Sequence, residues 1–279
     1  MGINGGTGIV GSGSVLGGSG ISLPKGGGGG GFDPAASAII AQMTENGSEP
    51  SAARQAIINQ LVLDLKGLGN TGADDAWSRL DILNVHAAED AIQSQTQWIN
   101  ANGTYDSVQV GIPTFTADVG FSSTSILNRI DPIWTPNTQL GNYTLNDSAI
   151  GFYGITFPTA NEYFLANAGV NNIIMRASNG STIESGIQGS VAVSTDWGAS
   201  EGLFVLDRDN SANFNVYLNT SLIVTNTRTS TSLASDQIRY PYAFQSGGAQ
   251  TAKIVFFSAS IRDVLPQIKA SFDAYLAAL

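Results

Sequence analysis

Apolar residues recur at helical spacing between residues 32 and 100, and start and stop signals bound the segments that carry them. Asp33-Pro34 predicts a helix start, because Asp caps the first turn and Pro is tolerated there. Asn46-Gly47 predicts its end. Three apolar residues between these signals share one face: Ile39, Ile40 and Met43.

Two more helices are predicted in the same region. The second opens at Ser48 or Ser51 and ends at Gly67 or Gly69. Its apolar stripe consists of Ile57, Leu61, Leu65 and Leu68. The third runs from Ala73 through Leu83 and turns Trp77, Leu80 and Leu83 inward. These apolar faces are expected to pack against another part of the protein.

Residues 101–261 consist of short segments rich in β-branched and aromatic residues, separated by Asn, Gly, Ser and Asp. Phe214, Val216 and Leu218 alternate on one face, and Asn219-Thr220 then predicts a two-residue hairpin turn. Many short strands at this spacing predict a sandwich or jelly roll. A final amphipathic helix around Ile268 is expected to cap the sheet.

The first 31 residues hold 15 of the 33 glycines and one charged residue, Lys25. Glycine loses the most backbone entropy on ordering, so the segment predicts a flexible tether when free. Its spaced apolar residues are interpreted as anchors that dock in grooves of a partner: Ile9, Val10, Val15, Leu16, Ile21 and Leu23. A linker with incidental apolar residues is the alternative. The chain thus divides into a docking arm (1–31), a helical segment (32–100) and a jelly-roll sandwich with a C-terminal helix (101–279).

Composition and charge argue against several classes of function. The net charge is −10 and the basic residues are scattered, which argues against nucleic-acid and membrane-surface binding. The chain has no cysteine, so disulfides and thiolate chemistry are excluded. No apolar stretch is long enough to predict a transmembrane helix. The N-terminus lacks a secretory pattern, so we expect cytoplasmic synthesis without a cleaved leader.

The order of the segments carries a family resemblance. A helical lead-in precedes Gly111-Ile-Pro-Thr-Phe-Thr-Ala-Asp-Val-Gly-Phe121, the Asn-turn hairpin, a strand at 253–260 and a helix ending in Tyr275-Leu-Ala-Ala-Leu279. Over residues 33–279 this resembles the laminin-G-like, concanavalin-A-type jelly roll of bacteriophage virion proteins. The turn Asn219-Thr220 departs from the commoner Asn-Gly.

The resemblance implies a structural component of a phage particle, as a tail-associated, fibre or head-decoration protein. Residues 1–31 would bind other virion proteins. Particle components repeat by symmetry, so a homo-oligomer is expected, with a trimer as our guess for a fibre or spike. Because this fold serves many functions, the alternative is a carbohydrate-binding adhesin module that recognises host-surface glycans.

Catalysis is not predicted. The letters of Gly6-Thr-Gly8-Ile-Val-Gly11 match a dinucleotide fingerprint, but no strand precedes them. A glycanase needs two carboxylates flanking the scissile bond, whereas Glu162, Glu184 and Glu201 are isolated. We expect no enzyme activity, no catalytic residue and no cofactor. The single histidine, His86, is expected to be a packed or surface residue of a helical stretch.

Two residue sets are weaker candidates for binding. Laminin-G-like modules often bind calcium, and four residues offer oxygen ligands: Asp207, Asp209, Asn210 and Asn213. The alternative is a turn that caps itself with Asx side chains. Four aromatic residues in polar, loop-like surroundings are candidate glycan platforms: Trp134, Trp197, Tyr240 and Tyr242. Ordinary packing in the sandwich is the alternative for these.

Overall fold

The computed structural model describes residues 31–67, 75–125, 127–139, 141–154, 162–167, 173–177, 182–188, 190–191, 195–196, 201–240 and 250–279. The six predicted anchors of the docking arm lie outside these residues: Ile9, Val10, Val15, Leu16, Ile21 and Leu23. Trp197 and Tyr242, two of the candidate glycan platforms, also lie outside them. The predictions for these eight residues therefore stay predictions.

The described residues form four α-helices: α1 (Pro34–Glu45), α2 (Ala52–Gly67), α3 (Ala76–Arg79) and α4 (Leu265–Ala277). A 3₁₀ turn spans Gln93–Gln95. The described strands are β1 (Leu80–Val85), β2 (Ser107–Val110), β3 (Thr114–Thr116), β4 (Gly120–Ser123), β5 (Arg129–Pro132), β6 (Ser148–Gly154), β7 (Glu162–Asn167), β8 (Ile173–Ala177), β9 (Thr182–Ile187), β10 (Ser190–Val191), β11 (Thr195–Asp196), β12 (Gly202–Arg208), β13 (Phe214–Leu218), β14 (Ser221–Asn226), β15 (Ile238–Arg239) and β16 (Gln250–Ser258).

Local signals set the ends of the first helices as predicted. The Asp33 carboxylate accepts the Ala35 N–H at 2.8 Å, so Asp33 caps α1. Gly47 follows α1 with φ +103°, a conformation that glycine adopts without steric cost. The Ser51 hydroxyl accepts the Arg54 N–H at 3.2 Å and caps α2.

The third predicted helix is wrong over most of its length. Helix α3 spans only Ala76–Arg79, and the chain then continues as strand β1. β1 pairs antiparallel with β16, so ladder hydrogen bonds and burial on both faces outweigh the helical spacing of Leu80 and Leu83. His86 therefore follows a strand and does not lie in a helix.

Two antiparallel sheets form the sandwich. The larger has eight strands in the order β14-β13-β12-β6-β16-β4-β3, and β1 also pairs with β16. The described strands of the second run β10-β9-β8-β7-β15, with β11 paired to β9. β2 and β5 pair with each other. The fold is mainly β, a concanavalin-A-like jelly-roll sandwich, as predicted. The predicted hairpin β13–β14 is present, and Asn219 in its turn has φ +57°.

The larger sheet is buried on both faces. One face, which includes Leu83, Val205 and Phe256, packs against the helices. The helices contribute Ile39, Leu61 and Phe272 among others to this core. The opposite face, with Phe152, Phe204 and Phe257, packs against Leu165, Met175 and Ile187 of the second sheet. Helix α4 covers the sheet as expected. Within the described part of the chain, no helix is long and apolar enough to cross a bilayer.

Candidate functional site

A β-bulge in β1 takes Asp81 out of the regular pairing. Leu80 pairs with Ser258 and Ile82 pairs with Phe257, so two steps along β1 match one step along β16. Leu80 consequently packs in the helix-facing core, whereas Ile82 packs in the core between the sheets. A bulge redirects one side chain of a strand. Here the redirected residue is Asp81, which lines a cleft.

The cleft has a volume of about 380 Å³, and three segments of the chain form it. These are β1, the stretch between the 3₁₀ turn and β2, and the turn that follows β5. Its walls consist of Asp81, Asn100, Tyr105, Trp134, Thr138, Gln139 and Gly141. The lining combines a carboxylate, side-chain amides, a hydroxyl and two aromatic rings, which is a polar surface with apolar patches.

The Asp81 carboxylate is held by the backbone of the turn after β5. Its Oδ1 accepts the Asn142 N–H at 2.8 Å, and its Oδ2 accepts the Tyr143 N–H at 2.6 Å. The side chain of Asn142 is a further hydrogen-bond donor to this carboxylate. A carboxylate offers about four acceptor positions, so one stays open. Burial raises the pKa of Asp81, against the opposing effect of these hydrogen bonds. Among the described residues, no Lys or Arg pairs with this carboxylate.

Gly141 lets the turn wrap closely around this carboxylate. A Cβ atom at position 141 would lie 2.2 Å from Asp81 Oδ1, far inside any normal contact. Any other residue there would displace either the turn or the carboxylate. The glycine therefore helps to define both the shape of the cleft and the position of Asp81.

Trp134, a predicted glycan platform, does line the cleft, but its ring is covered. The side chain is 3% exposed. Tyr143 meets its ring edge to face at 5.5 Å, and Phe257 packs against it at 5.0 Å. Packing of this kind leaves no open face for a sugar ring. The indole N–H makes no hydrogen bond to a described residue, and Trp134 lines the cleft, so this N–H is a candidate donor to a ligand there.

Tyr105 is the aromatic residue of the cleft that keeps exposed surface. Its side chain is half-buried, and no described residue stacks on its ring or hydrogen-bonds its hydroxyl. Next to it, Gln139 Oε1 accepts the Thr135 N–H, which leaves the amide nitrogen of Gln139 as a donor. Asn100 is exposed and has φ +55°, a conformation that Asn tolerates better than most residues.

Tyr240, another candidate platform, lies in the core and not at a surface. It is 0% exposed, and its hydroxyl donates to Asn84 Oδ1 at 3.0 Å. Its ring lies 5.4 Å from that of His86. His86 Nδ1 lies 2.7 Å from the Ser94 carbonyl oxygen, and burial lowers the pKa of His86 to about 4. For Tyr240 and His86 the structure matches the packing alternative.

The candidate calcium ligands already have protein partners. Asp207 Oδ1 accepts the Ser260 hydroxyl at 2.8 Å and the Ile261 N–H at 2.9 Å. Arg262 pairs with Asp207 at 3.3 Å and with Asp209 at 2.6 Å.

The neighbouring turn matches the alternative of self-capping. Asn210 Oδ1 accepts the N–H groups of Ala212 and Asn213 at 2.9 and 2.8 Å. In the part of the chain that the structure describes, no group of three or more His, Asp or Glu is placed to hold a metal ion. Nothing in the arrangement of Asp207, Asp209, Asn210 and Asn213 adds support for calcium.

Sequence analysis does not select Asp81, Asn100, Tyr105, Thr138 or Gln139. A helix over residues 73–83 hides the bulge, and the other four residues lie in segments without a motif. One signal is available in retrospect: Asp81 interrupts an otherwise apolar run from Leu80 to Leu83.

No family model matches this sequence, and no curated protein matches it. Solved structures do match its fold. The sialidase of Trypanosoma rangeli in complex with the inhibitor DANA has a TM-score of 0.54 and 13% identity, covering 79% of this chain and 38% of that chain. The binding domain of botulinum neurotoxin serotype D has a TM-score of 0.52 and 8% identity, covering 72% of this chain and 52% of that chain.

The chain thus spans about two fifths of the sialidase and about half of the toxin domain. Neither of the two is a virion protein, so the resemblance is supported for the fold and not for a phage origin. At these identities the similarity shows that this chain has the β-sandwich fold that these domains share, and it shows the fold alone.

Proposed function

We propose that this chain is a carbohydrate-binding module whose ligand site is the cleft beside β1. One observation carries the proposal: the cleft joins a carboxylate with an open acceptor position, an unused indole donor and a half-buried tyrosine. Sugars present hydroxyl groups that both donate and accept, together with apolar ring faces. Asp81 would accept from ligand hydroxyls, Trp134 would donate to one, and Tyr105 would pack against a ring.

Binding without cleavage fits this lining best. Glycoside hydrolysis in most families uses two carboxyl groups that flank the scissile bond. Asp81 is the one carboxylate among the residues that line the cleft. The proposal therefore keeps the expectation that the chain has no hydrolase activity.

The fold comparisons support the proposal only in a general way. A related solved structure is the Trypanosoma rangeli sialidase in complex with 2,3-difluorosialic acid, with a TM-score of 0.52 and 12% identity. The sandwich fold thus occurs in a protein that has been solved with a bound sugar-acid derivative. Because identity is low, the argument for this chain rests on its own cleft.

The virion component stays a prediction, because the segment that carries it, residues 1–31, lies almost wholly outside the described residues. It is compatible with a glycan-binding cleft, since an adhesin can belong to a particle. Deletion of residues 1–31 tests it: the shortened chain should fold but be absent from purified particles. Normal incorporation would contradict docking by this arm.

A glycan array probed with the full chain tests the proposed function. We expect binding to a defined subset of oligosaccharides, and at least tenfold weaker binding by Trp134→Phe, which keeps an aromatic ring and removes the indole N–H. Trp98→Phe is the matched control. Trp98 is likewise a buried tryptophan, its N–H has no partner among the described residues, and it packs on Tyr275 in the helix-facing core.

This control distinguishes the loss of a ligand contact from a general loss of core packing as the cause of weaker binding. Trp98→Phe should bind like the unsubstituted chain. Equal loss in both variants would contradict a ligand contact at Trp134, and no binding by the unsubstituted chain to a broad array would overturn the proposed function.

A further inference from the structure

The charges that surround the cleft limit which sugars it can hold. Of the residues that line it, Asp81 carries a charge and the others are uncharged. Its carboxylate accepts two backbone N–H groups and has no cationic partner among the described residues. Among the described residues, hydrogen-bond dipoles alone therefore compensate this negative charge, and a ligand in the cleft would lie beside it.

The cations closest in sequence are engaged elsewhere. Arg79 donates to both carboxylate oxygens of Asp263, at 2.6 and 2.9 Å, and to the Ser260 carbonyl. Arg129 pairs with Asp131 at 2.9 Å. Neither residue lines the cleft, so neither is placed to neutralise a ligand carboxylate there.

We propose that the cleft binds uncharged sugars and discriminates against sugars that carry a carboxylate. This inference rests on the proposed function and specifies its ligand class. An uncharged sugar can donate a hydroxyl to the open acceptor position of Asp81. A sialic or uronic acid in the same place would bring a second carboxylate into a half-buried site where no described residue supplies a cation to separate the two charges. The chain would thus differ from the sialidase that shares its fold, which is solved with a sialic acid derivative.

Paired glycans test the inference. The full chain is titrated with neutral oligosaccharides selected on the array and with the same oligosaccharides capped by sialic acid or extended by a uronic acid. We expect at least tenfold weaker binding of the acidic member of each pair. Equal or tighter binding of the acidic members would overturn the inference and leave the proposed function standing. Failure of all members to bind would overturn the proposed function itself.

A charge added to the cleft rim separates a local effect from the overall net charge. Thr138→Lys places a cation among the lining residues and should reduce the discrimination at least threefold. Thr220→Lys is the matched control. Thr220 is exposed in the β13–β14 turn, and β12, β6 and β16 lie between β13 and β1 in the larger sheet. It makes the same change in net charge and should leave the discrimination unaltered. Equal effects of the two lysines would assign the discrimination to net charge and overturn the role of Asp81.

Discussion

Asp81 and Asp207 belong to the same sheet and differ in what completes their hydrogen bonding. Each carboxylate accepts at least one backbone N–H, and burial raises the pKa of each. Asp207 is fully buried, and Arg262 pairs with it. Asp81 is half-buried beside a cleft, and none of the described residues pairs a cation with it.

The difference separates a structural carboxylate from one available to a ligand. Asp207 links β12 to the connection between β16 and α4, because it holds Ser260, Ile261 and Arg262 together. The hydrogen-bond donors to Asp207 are therefore groups of the protein itself. At Asp81 the described residues supply donors from Asn142 and Tyr143 but no cation. An acceptor position of this carboxylate is therefore open to solvent or to a ligand.

The largest expected effect is on the structural side of this comparison. Asp207→Asn removes a buried charge whose partner is Arg262, and an amide also puts N–H₂ where donors already point. We expect the free energy of unfolding to fall by about 3 kcal/mol, measured by urea denaturation. A loss below about 1 kcal/mol, the range of exposed pairs, would contradict the structural role.

The dependence of stability on pH tests whether the His86 side chain is buried. Its pKa is about 4 in the folded chain and 6.5 when unperturbed, so the unfolded state binds more protons as pH falls. Stability should therefore decline from pH 6.5 down to about 4, by up to about 3 kcal/mol. Since the chain has a single histidine, NMR titration of its ring signals measures the folded pKa directly. A value near 6.5 would contradict burial of the ring.

On the ligand side, Gly141→Ala should weaken glycan binding at least tenfold. The new methyl group would meet Asp81 Oδ1, so the carboxylate or the turn must move, and we expect about 2 kcal/mol less stability. Gly67→Ala is the control, because a Cβ there meets nothing within 4 Å. Calorimetric titration with a glycan that binds the unsubstituted chain measures the loss. Unchanged binding by Gly141→Ala would show that the position of Asp81 does not matter to the ligand.

The smallest expected effect is that of Asp209→Asn, which tests how the result for Asp207→Asn is interpreted. Asp209 pairs with the same arginine at 2.6 Å, but both side chains are 39% exposed. Exposed ion pairs are screened by water, so Asp209→Asn should cost less than about 1 kcal/mol. A loss equal to that of Asp207→Asn in the same urea experiment would mean that Arg262, and not burial of Asp207, determines the stability of this region.

Sequence reasoning succeeded where a feature depends on neighbouring residues. Asp33 and Gly47 bound α1, and Asn219 turns the β13–β14 hairpin, because capping and positive φ are local properties. It failed at residues 80–85, whose apolar spacing also fits a helix, because pairing with β16, far along the chain, decided their conformation. The sequence predicts Trp134 as a glycan platform through its ring face, but the structure buries that face under Tyr143 and Phe257.

The sequence by itself determined the β-sandwich class, the capped helices and the amphipathic closing helix, since these follow from periodicity and local turn chemistry. Only the tertiary structure decided the cleft. Its residues come from three segments between positions 81 and 141, and a bulge in β1 turns Asp81 toward them. A bulge depends on the register of two strands, here β1 and the distant β16, and no pattern within one strand specifies that register.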